Sequence, residues 1–578
     1  MMTVFFDIET NGLLDELDRI VCVSCSINGA EPQVFHEKES IENAIKQLEL
    51  ADVVVGHNSI CFDIPAIKKV FPDFKPQGLV RDTLVLSRLA FPDLRDRDMA
   101  DQAKARSESL KALPSTWIGS HSLKAWGYRM HMHKGEALEQ VTDFRSLQYT
   151  EEIGDYCKQD VRITAKLYNK MMLIVPLDPM ILEHHFAECI AEQMRNGFGF
   201  DLNKATRLYG LMVVERDEIM QDLQKEIPPT EIKLKTKTKY VPFNPGSRQQ
   251  IAKALQDRCG WKPEEFTPSG EAKVDESVLS TIDHPLAKKF SRYFLLSKRI
   301  GMLAEGTEAW IKSEKSGRIY GYVNHNGAVT GRCTHRAPNM AQVPAVYSPY
   351  GKECRSLFIA PSGRTLVGVD ASGLELRCLA HYMAKYDGGE YVKEILEGDI
   401  HTANQKAAGL PTRNDAKVFI YAFLYGAGPA KIGSIVGGSY SEGKKLQERF
   451  LNKVPALKKL REDVLHAVEE RGCLIGLDGR RLPIRSKHSA LNTLLQSAGA
   501  LIMKQATVNM NRALTLNGVD YKQVAHIHDE LQFEVASHQA ALAVNLLPQA
   551  ITEAGEHFNF RCRLDGEAKQ GQNWAETH

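Results

Sequence analysis

Two acidic residues near the start of the chain have the spacing of a metal-binding pair. Asp7 and Glu9, in "FFDIET", are two positions apart in an apolar run that favours a β-strand. Alternate residues of a strand project from the same face, so the two carboxylates repel each other unless a cation lies between them. An isolated pair of this kind is more often simply solvated, and it indicates a metal site only if further ligands join it.

Three later residues extend this set. Asp63 follows in "HNSICFD", and Tyr156 and Asp160 occur in "YCKQD", four positions apart and therefore on one face of a helix. Carboxylate oxygens are the ligands that Mg²⁺ prefers. Two such ions about 4 Å apart can activate water and stabilise the leaving oxygen of a phosphodiester. The ordered set therefore favours metal-dependent phosphodiester chemistry over a chance grouping.

A second set of carboxylates is spread over the later part of the chain. Asp370 ends the apolar run of "TLVGVDASGLELRCLAH", where the pattern changes from strand to helix, and Glu375 follows it. Asp529 occurs in "HIHDE", at the predicted tip of a strand pair. Each aspartate alone is more often a turn residue. A zinc site at the two histidines is disfavoured, because no third soft ligand lies nearby at suitable spacing.

Four residues between these segments recur every four positions in "RNDAKVFIYAFLYGAG". They are two cations and two aromatic residues, namely Arg413, Lys417, Tyr421 and Tyr425. On a helix they form one stripe, unlike the aliphatic face of a core helix. Pro411 and Thr412 predict a helix start, which places Arg413 near the positive end of the helix dipole. Cations there suit a triphosphate, and the rings suit a sugar and a base.

The elements that must position these residues follow from the hydrophobic pattern. Residues 1 to about 175 alternate short apolar runs with helical segments, which is an α/β pattern. Helices are predicted over about 180–225 and 285–313, strand-like and turn-rich sequence to about 370, helices to about 470 and a late strand pair. Between 228 and 242 lies "PPTEIKLKTKTKYVP", in which Lys233, Lys235, Lys237 and Lys239 alternate. A solvated edge strand or loop is the commoner explanation of such a run, and a nucleic-acid contact is the alternative.

Length and composition limit the class of protein. The 578 residues exceed one compact core, so two or more domains are predicted, and 43% hydrophobic and 25% charged residues are ordinary for a globular protein. The net charge of +1 leaves nucleic-acid binding to segregated basic residues. The 11 cysteines, with Cys22 and Cys25 as a single CxxC, favour buried thiols in a reducing cytosol. The N-terminus predicts no signal peptide, and no apolar run reaches the roughly 20 residues of a membrane span.

The first set of residues resembles the DEDDy family of 3′→5′ exonucleases over residues 1 to about 175. The resemblance implies an RNase H-like exonuclease domain at 1–175, in which Asp7, Glu9, Asp63 and Asp160 bind metal ions. It also implies that Tyr156 orients the attacking water. All five positions are intact, so we expect an active proofreading site.

The chain from about residue 180 to 578 resembles family A (DNA polymerase I-like) DNA polymerases. The resemblance rests on "VDASGLELR", "RNDAKVFIYAFLYGAG" and "HDE", with support from "TGRCTHRAPNMAQVP" and "LNTLLQSAGALI". The details of "ASGLELRCLAH" and "LPTR" look most like replicative polymerases of short-tailed bacteriophages, which carry an N-terminal proofreading domain and no 5′-nuclease domain. The implied fold is α/β and α+β multidomain, with an RNase H-like domain before a right-hand polymerase domain at 176–578. The implied subdomains are a thumb at about 200–315, a palm at about 320–400 and 475–578, and fingers at about 401–470.

The resemblance also implies a role for each matching residue. Asp370 and Asp529 would bind two Mg²⁺ ions, with the carbonyl oxygen of Ala371 as a further ligand. Glu530 would be a supporting acid, and Glu375 would crowd the 2′ position of the incoming sugar. The residues implied in nucleotide binding are His401, Arg413 and Lys417 for the phosphates, Tyr421 for the sugar and Tyr425 for the templating position. The residues implied in DNA binding are Arg332, Asn492, Gln496, His528 and, in a thumb motif, Ser247 and Arg248. Ser247 can equally serve as a helix cap alone.

The implied substrates are primer–template DNA and dNTPs, and the implied partners are a replicative helicase–primase and a single-stranded DNA-binding protein. The implied place of action is the cytoplasm of the infected bacterial host, as a monomer. Two Mg²⁺ ions are implied at each site, and Mn²⁺ can substitute. Coliphage enzymes of this type carry a long thumb insertion that binds host thioredoxin. The corresponding place here holds only "IPPTEIKLKTKTKYVP", so we expect no thioredoxin binding of that kind and a direct contact of the lysines with duplex DNA.

Two other classes of function compete with a polymerase. A nuclease with a polymerase-like DNA-binding platform predicts loss of Asp370, Asp529, Arg413 or Lys417. A non-catalytic replication-fork adaptor predicts erosion of both carboxylate sets. All of these residues are present, so the sequence favours a replicative DNA polymerase with an attached proofreading exonuclease.

Overall fold

The computed structural model describes residues 1–107, 113–135, 137–138, 141–233 and 238–578. The chain forms two compact units. The first consists of Met1–Asn196, Val323–Thr334 and Val367–Gln570, and the second of Gly197–Tyr322, His335–Leu366 and Gly571–His578. The residues of both carboxylate sets therefore lie in the first unit.

A mixed β-sheet carries the first carboxylate set. Its strands are β1 (Thr3–Thr10), β2 (Ile20–Ile27), β3 (Gln33–Phe35), β4 (Val53–Gly56) and β5 (Leu79–Asp82). They lie in the order β3-β2-β1-β4-β5, with β1 antiparallel to β2 and parallel to β4. Val4 and Phe5 of β1 are buried in separate apolar clusters, because alternate residues face opposite sides and helices cover both sides.

The helices of this part bring the later acids to the sheet. They are α1 (Lys38–Leu50), α2 (Asp63–Val70), α3 (Thr83–Ala90), α4 (Leu94–Ser107), α5 (Leu123–Arg129), α6 (Glu151–Met172) and α7 (Leu177–Asn196). Thr150 caps α6 by accepting a hydrogen bond from the N–H of Ile153, 3.3 Å away. The buried face of α6 packs on β1 and β2, so it carries Asp160 to the strand that holds the first two acids.

The middle of the chain is mostly helical. Its elements are β6 (Phe198–Gly199), α8 (Leu202–Glu226), β7 (Thr230–Lys233), β8 (Thr238–Val241), α9 (Arg248–Cys259), α10 (Glu276–Ser280), α11 (Pro285–Ile300), α12 (Trp310–Ser313), β9 (Glu314–Lys315), β10 (Arg318–Ile319), β11 (Tyr322–Asn324), β12 (Thr334–Arg336) and α13 (Gly351–Arg355). In the second unit, α8 and α11 enclose a core that includes Leu223, Ile251 and Phe290. Arg292 of α11 donates to the Glu215 carboxylate of α8 at 2.9 Å, which fixes the pair of helices.

A second sheet and its helices hold the other aspartates. The elements are β13 (Arg364–Ala371), α14 (Leu374–Asp387), α15 (Glu390–Glu397), α16 (Ile400–Ala408), α17 (Arg413–Leu424), α18 (Pro429–Ile435), α19 (Tyr440–Lys453), α20 (Pro455–Arg471), β14 (Cys473–Ile475), β15 (Arg481–Pro483), α21 (Ala490–Leu516), β16 (Tyr521–Ile527), β17 (Glu530–Ala536), α22 (Ala540–His557) and β18 (Gly566–Gly571). The sheet order is β16-β17-β13-β18. A large apolar core joins β13 and β17 to α14, α17 and α21.

A buried charge network connects α7, the β14–β15 hairpin and α21. Glu183 accepts from Arg480 at 2.6 Å and from Lys504 at 2.5 Å, and Arg480 also donates to Asp478 at 2.7 Å. Burial alone would raise the pKa of Glu183, but Lys504 and Arg480 outweigh it and hold the pKa well below its usual range. The network is balanced in charge, so removing one member would leave another charge buried and unpaired.

Most of the predicted elements are present where the sequence pattern places them. The strand pair with Asp529 at its tip is formed by β16 and β17, and Thr412 is the cap of α17 as expected. In the lysine-rich segment, β7 and β8 pair with each other, and Lys239 on β8 is exposed. Lys235 and Lys237 lie outside the described residues, as does the side chain of Lys233. Among the helices of the described residues, none combines the length and apolar character that a membrane crossing requires.

Candidate active sites

The first two acids lie together under α6. Asp7 and Glu9 are alternate residues of β1, and Glu9 lies opposite Cys22 in the antiparallel register. The thiol of Cys157 on α6 donates to a carboxylate oxygen of Asp7, with sulfur and oxygen 3.4 Å apart. One ligand atom from each of Asp7, Glu9 and Cys157 lies within 4.8 Å of the others. The spacing on the strand therefore produces the paired carboxylates that the sequence predicts.

Asp63 and Asp160 join this pair from two helices. Asp63 is the first residue of α2, Asp160 lies on α6, and both are buried. Burial, followed by the charge of a neighbouring acid, raises the pKa of Asp7, Asp63 and Asp160 to about 7. The pKa of Glu9 is raised for the same two reasons, with Asp7 as the first neighbour. The structure thus brings the other three predicted acids within electrostatic reach of Asp7.

A lysine that the sequence did not single out lies among these acids. The ammonium group of Lys134 forms an ion pair with Asp160 and lies 4.4 Å from the ring centroid of Tyr156. Burial alone would lower the pKa of Lys134, but the charges of Asp160 and Asp7 outweigh it and raise the pKa above its ordinary value. Lys134 comes from the loop between α5 and α6, where no periodic pattern of the sequence indicates a site residue.

Asp82 holds the segment that precedes Asp63. Its carboxylate accepts hydrogen bonds from the N–H groups of Asn58 at 2.8 Å and Ile60 at 3.1 Å. His184 of α7 accepts from the N–H of Asp82 at 2.9 Å. Asp82 therefore fixes the position of the loop that leads to Asp63. An aspartate before an apolar helix is a recognisable cap in the sequence, but its bonds to the 58–60 loop are not.

The acid cluster has the donor chemistry of a site for hard divalent cations. The Oδ1 atom of Asp160 is buried and lacks a hydrogen-bond partner among the described residues. Crowded carboxylates with raised pKa values repel one another, and a cation relieves that repulsion. Oxygen donors are preferred by Mg²⁺ and accepted by Mn²⁺. The carboxylates of Asp7 and Glu9 therefore fit such an ion, and the roles of Asp63 and Asp160 as further ligands stay predictions.

The second site forms where β13 ends beside the β16–β17 turn. The N–H of Ala371 donates to the carbonyl oxygen of Asp529 at 3.0 Å, so Asp370 and Asp529 belong to neighbouring strand ends. His528 occupies the turn with a φ of 58°, a left-handed conformation that costs a non-glycine residue roughly 1–2 kcal/mol. Glu530, next to Asp529, is buried and accepts from Gln532 at 2.8 Å. The sheet thus brings the backbones of two aspartates that are far apart in the sequence to neighbouring strand ends.

Glu375 lies in the first turn of α14 and contacts other groups. Its carboxylate accepts a hydrogen bond from the hydroxyl of Tyr425, and a guanidinium nitrogen of Arg332 lies 3.9 Å away. Burial first, and then the charge of Glu375, raises the pKa of Asp529. These four residues line a cavity of about 320 Å³ together with His528. Glu375 therefore shares the cavity with Asp529 while it accepts a hydrogen bond from Tyr425 and lies near Arg332.

α17 presents the predicted cations and rings. Arg413 and Lys417 are exposed, Tyr421 is half-buried, and the His401 ring centroid lies 6.4 Å from that of Tyr421. Tyr425 follows the last residue of the helix, and its N–H donates to the carbonyl oxygen of Tyr421 at 2.9 Å. The stripe is therefore three helical residues and a cap residue, because the helix ends at Leu424.

Arg413 has a partner that the sequence did not indicate. Its Nε donates to one oxygen of Asp399 at 2.8 Å, and its Nη2 donates to the other at 3.1 Å. Asp399 is also the cap of α16 and accepts from the N–H of His401 at 3.1 Å. A carboxylate thus occupies the guanidinium that was predicted to bind a phosphate.

The remaining predicted DNA contacts fall in two places. Asn492 and Gln496 are one turn apart on α21, and Gln496 Nε2 donates to Asn492 Oδ1 at 2.9 Å. Ser247 and Arg248 lie in the second unit, where Ser247 caps α9 by accepting from the N–H of Gln250 at 3.4 Å. The capping role of Ser247 is therefore present, and its contact with DNA stays a prediction.

Comparison with known proteins matches this arrangement. Residues 215–576 match the model of DNA polymerase family A, and residues 4–172 match the RNase H superfamily. The DNA-directed DNA polymerases of Enterobacteria phage T3 and Escherichia phage T7 are each 36% identical, and each alignment covers 99% of this chain and 99% of the relative.

A solved structure has the same fold. It is the POL domain of Pol1 from M. smegmatis in complex with DNA primer-template and dNTP, with a TM-score of 0.76, 18% identity and coverage of 100% of this chain and 96% of that chain. At this identity the likeness speaks for the fold alone, which confirms the predicted multidomain fold. The chain therefore belongs to DNA polymerase family A, with an RNase H superfamily region in its N-terminal part.

Proposed function

We propose that this family A polymerase extends the 3′ end of a DNA primer with dNTPs at Asp370 and Asp529, under the direction of a template strand. The observation that carries the proposal is the bond from Ala371 to Asp529, which joins the two strand ends. The cavity beside it is lined by Asp529, Glu375 and Tyr425. A carboxylate pair next to a cationic helix has the charges that phosphoryl transfer to a nucleotide requires.

Both parts of the chain belong to families that depend on divalent metal ions. We propose two ions at each site, Mg²⁺ in the cell and Mn²⁺ as a substitute. When bound, such ions lower the pKa of a bound hydroxyl or water and neutralise charge on the phosphate. Asp370, Asp529 and the carbonyl oxygen of Ala371 would hold them at the polymerase site. The backbone hydrogen bond from Ala371 to Asp529, which places Asp370 and Asp529 on neighbouring strand ends, supports this assignment.

The fingers residues would bind the incoming nucleotide. Arg413 and Lys417, exposed on the first two turns of α17, would contact the triphosphate with His401. The His401 Nδ1 atom is buried and lacks a partner among the described residues, which leaves it available to a ligand oxygen. Tyr421 would pack against the sugar, and Tyr425 would lie at the templating position. The charge and the rings thus follow the order of phosphate, sugar and base along the helix.

Other residues would select the sugar and hold the duplex. Glu375 would crowd the 2′ position, which its place in the cavity supports. Arg332, Asn492, Gln496 and His528 would touch the minor groove of the primer–template, whose acceptors are common to correct base pairs. We also propose a phosphate contact for Ser247 and Arg248 at the start of α9. Such contacts position DNA without reading its sequence.

The N-terminal acid cluster would remove mispaired 3′ nucleotides. Asp7, Glu9, Asp63 and Asp160 would hold the metal ions, and the Tyr156 hydroxyl would orient the water that attacks the terminal phosphodiester. Burial raises the pKa of Tyr156 to about 12, so its hydroxyl stays protonated and can donate near neutral pH. The proton that a water must lose would pass to solvent or to a neighbouring carboxylate.

We infer an exonuclease domain at 1–175 and a polymerase domain at 176–578, with the thumb, palm and fingers limits given above. The family matches to 4–172 and 215–576 support this division. We also propose that the protein acts as a monomer in the infected bacterial cell, with a helicase–primase and a single-stranded DNA-binding protein. The relation to phage polymerases supports this setting.

The test is extension and degradation of an end-labelled primer–template with Mg²⁺. We expect Asp529→Ala to abolish synthesis and retain degradation, because it removes a polymerase carboxylate only. We expect Asp7→Ala to abolish degradation and retain synthesis. Asp520→Ala and Asp73→Ala, at exposed positions of the same two regions, are the controls and should retain both activities. Loss of both activities in either active-site variant would overturn the assignment of two separate sites.

A further inference from the structure

Lys134 lies on a loop that is hydrogen-bonded to the helix before it and to the helix after it. The N–H of Met132 donates to the carbonyl oxygen of Gly127 in α5 at 2.8 Å. Gln159 of α6 donates to the carbonyl oxygen of His133 at 3.2 Å. The loop is thus held against both neighbouring helices, and the position of the lysine is set by backbone contacts as well as by its charge.

The surroundings of the Lys134 side chain are unusual for a lysine. Only 17% of the side chain is exposed, and its ammonium group contacts the carboxylate of Asp160 and the face of the Tyr156 ring. Burying an ion pair of this kind adds little stability, because the desolvation of both charges offsets their attraction. The ring and the carboxylate that it contacts are two of the groups proposed to act in hydrolysis. The position of Lys134 is therefore better explained by a role in the function of the site than by a contribution to stability.

We propose that Lys134 is a positioning residue of the nuclease site, which orients Asp160 and Tyr156 and competes with divalent cations for the carboxylates. The inference rests on the proposed exonuclease function of this site. The ammonium group supplies one positive charge among Asp7, Glu9 and Asp160. A cation that enters the cluster must therefore overcome repulsion from a charge already present.

The charge of Lys134 persists under ordinary conditions. The ordinary pKa of a lysine lies well above neutral pH, and the ion pair with Asp160 and the contact with the face of the Tyr156 ring both favour the charged form. A neutral residue of similar length at this position would make the electrostatic potential at the acids more negative. It would also remove the contact between the ammonium group and the Tyr156 ring.

The experiment compares Lys134→Met with Lys134→Arg. Mn²⁺ binding is measured by calorimetry in full-length protein that also carries Asp529→Ala, which removes a proposed polymerase ligand. We expect Lys134→Met to bind Mn²⁺ roughly tenfold more tightly, because a like charge has been removed. In protein with Asp529 intact, we expect its exonuclease kcat to fall about 10- to 100-fold, the usual cost of losing an orienting partner. Lys134→Arg should restore both quantities towards the wild-type values.

Tighter metal binding with slower hydrolysis is the signature of this role. A merely structural lysine would give weaker metal binding and slower hydrolysis together, and that result would overturn the proposal. Unchanged metal binding would also overturn it. Lys158→Met is the matched control, since Lys158 lies on α6 near Asp160 but pairs with the exposed Asp155, at 2.6 Å. Primer extension by each variant with Asp529 intact reports whether the fold is retained.

The same experiment separates this proposal from the assignment of the nuclease site. If Asp7→Ala retains full exonuclease activity, the proposed nuclease function itself is wrong. If Asp7→Ala abolishes degradation and weakens Mn²⁺ binding while Lys134→Met changes neither quantity, the nuclease assignment stands and the role of Lys134 is wrong.

Discussion

Glu375 and Asp529 line the same cavity, yet they contact different groups. Asp529 lies at a strand turn, where its carbonyl oxygen accepts from Ala371. Glu375 is held by the Tyr425 hydroxyl, and Arg332 is 3.9 Å away. A carboxylate that is bonded to a tyrosine and faces an arginine is less available to a metal ion. At the scale of the residue, these neighbours support the proposal that Asp529 is a metal ligand and that Glu375 shapes the pocket.

We expect Glu375→Ala to admit ribonucleotides. Removing the side chain opens space at the proposed 2′ position, and discrimination against rNTPs should fall by roughly ten- to a hundredfold, the scale of selection by shape in a pocket. The measurement is the ratio of kcat/KM for dNTP and rNTP on one primer–template. Tyr425→Phe keeps the ring and removes only its hydrogen bond to Glu375, so its effect on sugar selection should be smaller. Complete loss of synthesis without a change in sugar selection would instead identify Glu375 as a metal ligand.

Buried histidines make the first unit sensitive to acid. Burial lowers the pKa of His57, His121 and His184 to about 3 and that of His325 to about 4, from the ordinary 6.5. Between these values the unfolded chain binds protons that the folded chain does not. The contribution of these histidines to stability is therefore complete above pH 6.5 and is lost progressively as the pH falls towards 3. The raised pKa values of Asp7, Asp63 and Asp160 act in the opposite direction, because these acids bind protons more readily in the folded chain between pH 7 and 3.8.

The acid sensitivity can be measured as the midpoint of the first thermal transition at pH 7 and pH 5. We expect the midpoint at pH 5, relative to that at pH 7, to be higher in His121→Gln than in the wild-type protein, because the variant lacks one site whose protonation favours the unfolded chain. His538→Gln, at an exposed position, should behave as the wild type. An equal change of midpoint in the wild type and in His121→Gln would exclude this histidine as a contributor.

Two helix starts meet at the scale of the element. Asp399 caps α16, and Arg413 is the first residue of α17, so their ion pair links the beginnings of both helices. Helix N-termini and cations both attract anions. A carboxylate at this place compensates the positive charge of Arg413 and Lys417 when no nucleotide is bound. The triphosphate would then have to displace Asp399 from the guanidinium group.

We expect Asp399→Asn to lower the KM for dNTPs by roughly two- to fivefold, the scale on which exposed ion pairs act. Asparagine retains the helix cap and removes the competing charge. Inhibition by pyrophosphate should strengthen by a similar factor, because the product competes for the same guanidinium. The measurement is steady-state single-nucleotide incorporation with and without pyrophosphate.

Asp415→Asn is the matched control for this substitution. Asp415 lies in the first turn of α17 but pairs with the Thr412 hydroxyl at 2.7 Å. The Asp415→Asn substitution should leave both the KM for dNTPs and the inhibition by pyrophosphate unchanged. A higher KM in Asp399→Asn would mean that Asp399 orients Arg413 rather than competing for it, and an unchanged KM in Arg413→Ala would remove Arg413 from the nucleotide site altogether.

At the scale of the whole molecule, one chain combines a polymerase with an exonuclease domain. The chain is shorter than the number of positions in its alignment with a phage relative. The alignment with the phage T3 enzyme spans 710 positions, more than the 578 residues present here, so it contains positions that this chain lacks. β7 and β8 pair in the segment for which the sequence predicts no thioredoxin-binding insertion, and Lys239 is exposed on β8. A compact basic hairpin can contact DNA phosphates directly, and this supports the proposal that thioredoxin is not required.

We expect simultaneous replacement of Lys233, Lys235, Lys237 and Lys239 by alanine to reduce processivity. Each phosphate contact that is lost weakens binding and flattens its dependence on salt, because fewer counterions are released. The measurement is product length on a primed single strand with an excess of trap DNA, over a series of salt concentrations. Replacement of the exposed Lys288 and Lys312 serves as the control. Unchanged product length and salt dependence would remove the hairpin from the DNA contact, and stimulation by added thioredoxin would contradict its proposed independence.

Local sequence patterns were sufficient to predict the two acids on one face of a strand, the stripe of cations and rings on a helix, and the protein family. Asp7 and Glu9 share a face because a strand repeats every two residues, and Arg413, Lys417 and Tyr421 share one because a helix repeats every 3.6 residues. These repeats depend only on the spacing of residues along the chain, so the sequence by itself determined which of these side chains share a face. The motifs also determined the family, which the comparisons confirm.

Only the tertiary structure decided which residues meet across the chain. Lys134 reaches Asp160 from a loop, Asp399 reaches Arg413 from another helix, and Glu183 balances Arg480 in the core. Such pairs depend on the packing of elements whose separation along the chain has no period. Charge and burial act through distance in space, and a sequence specifies those distances only after the chain has folded.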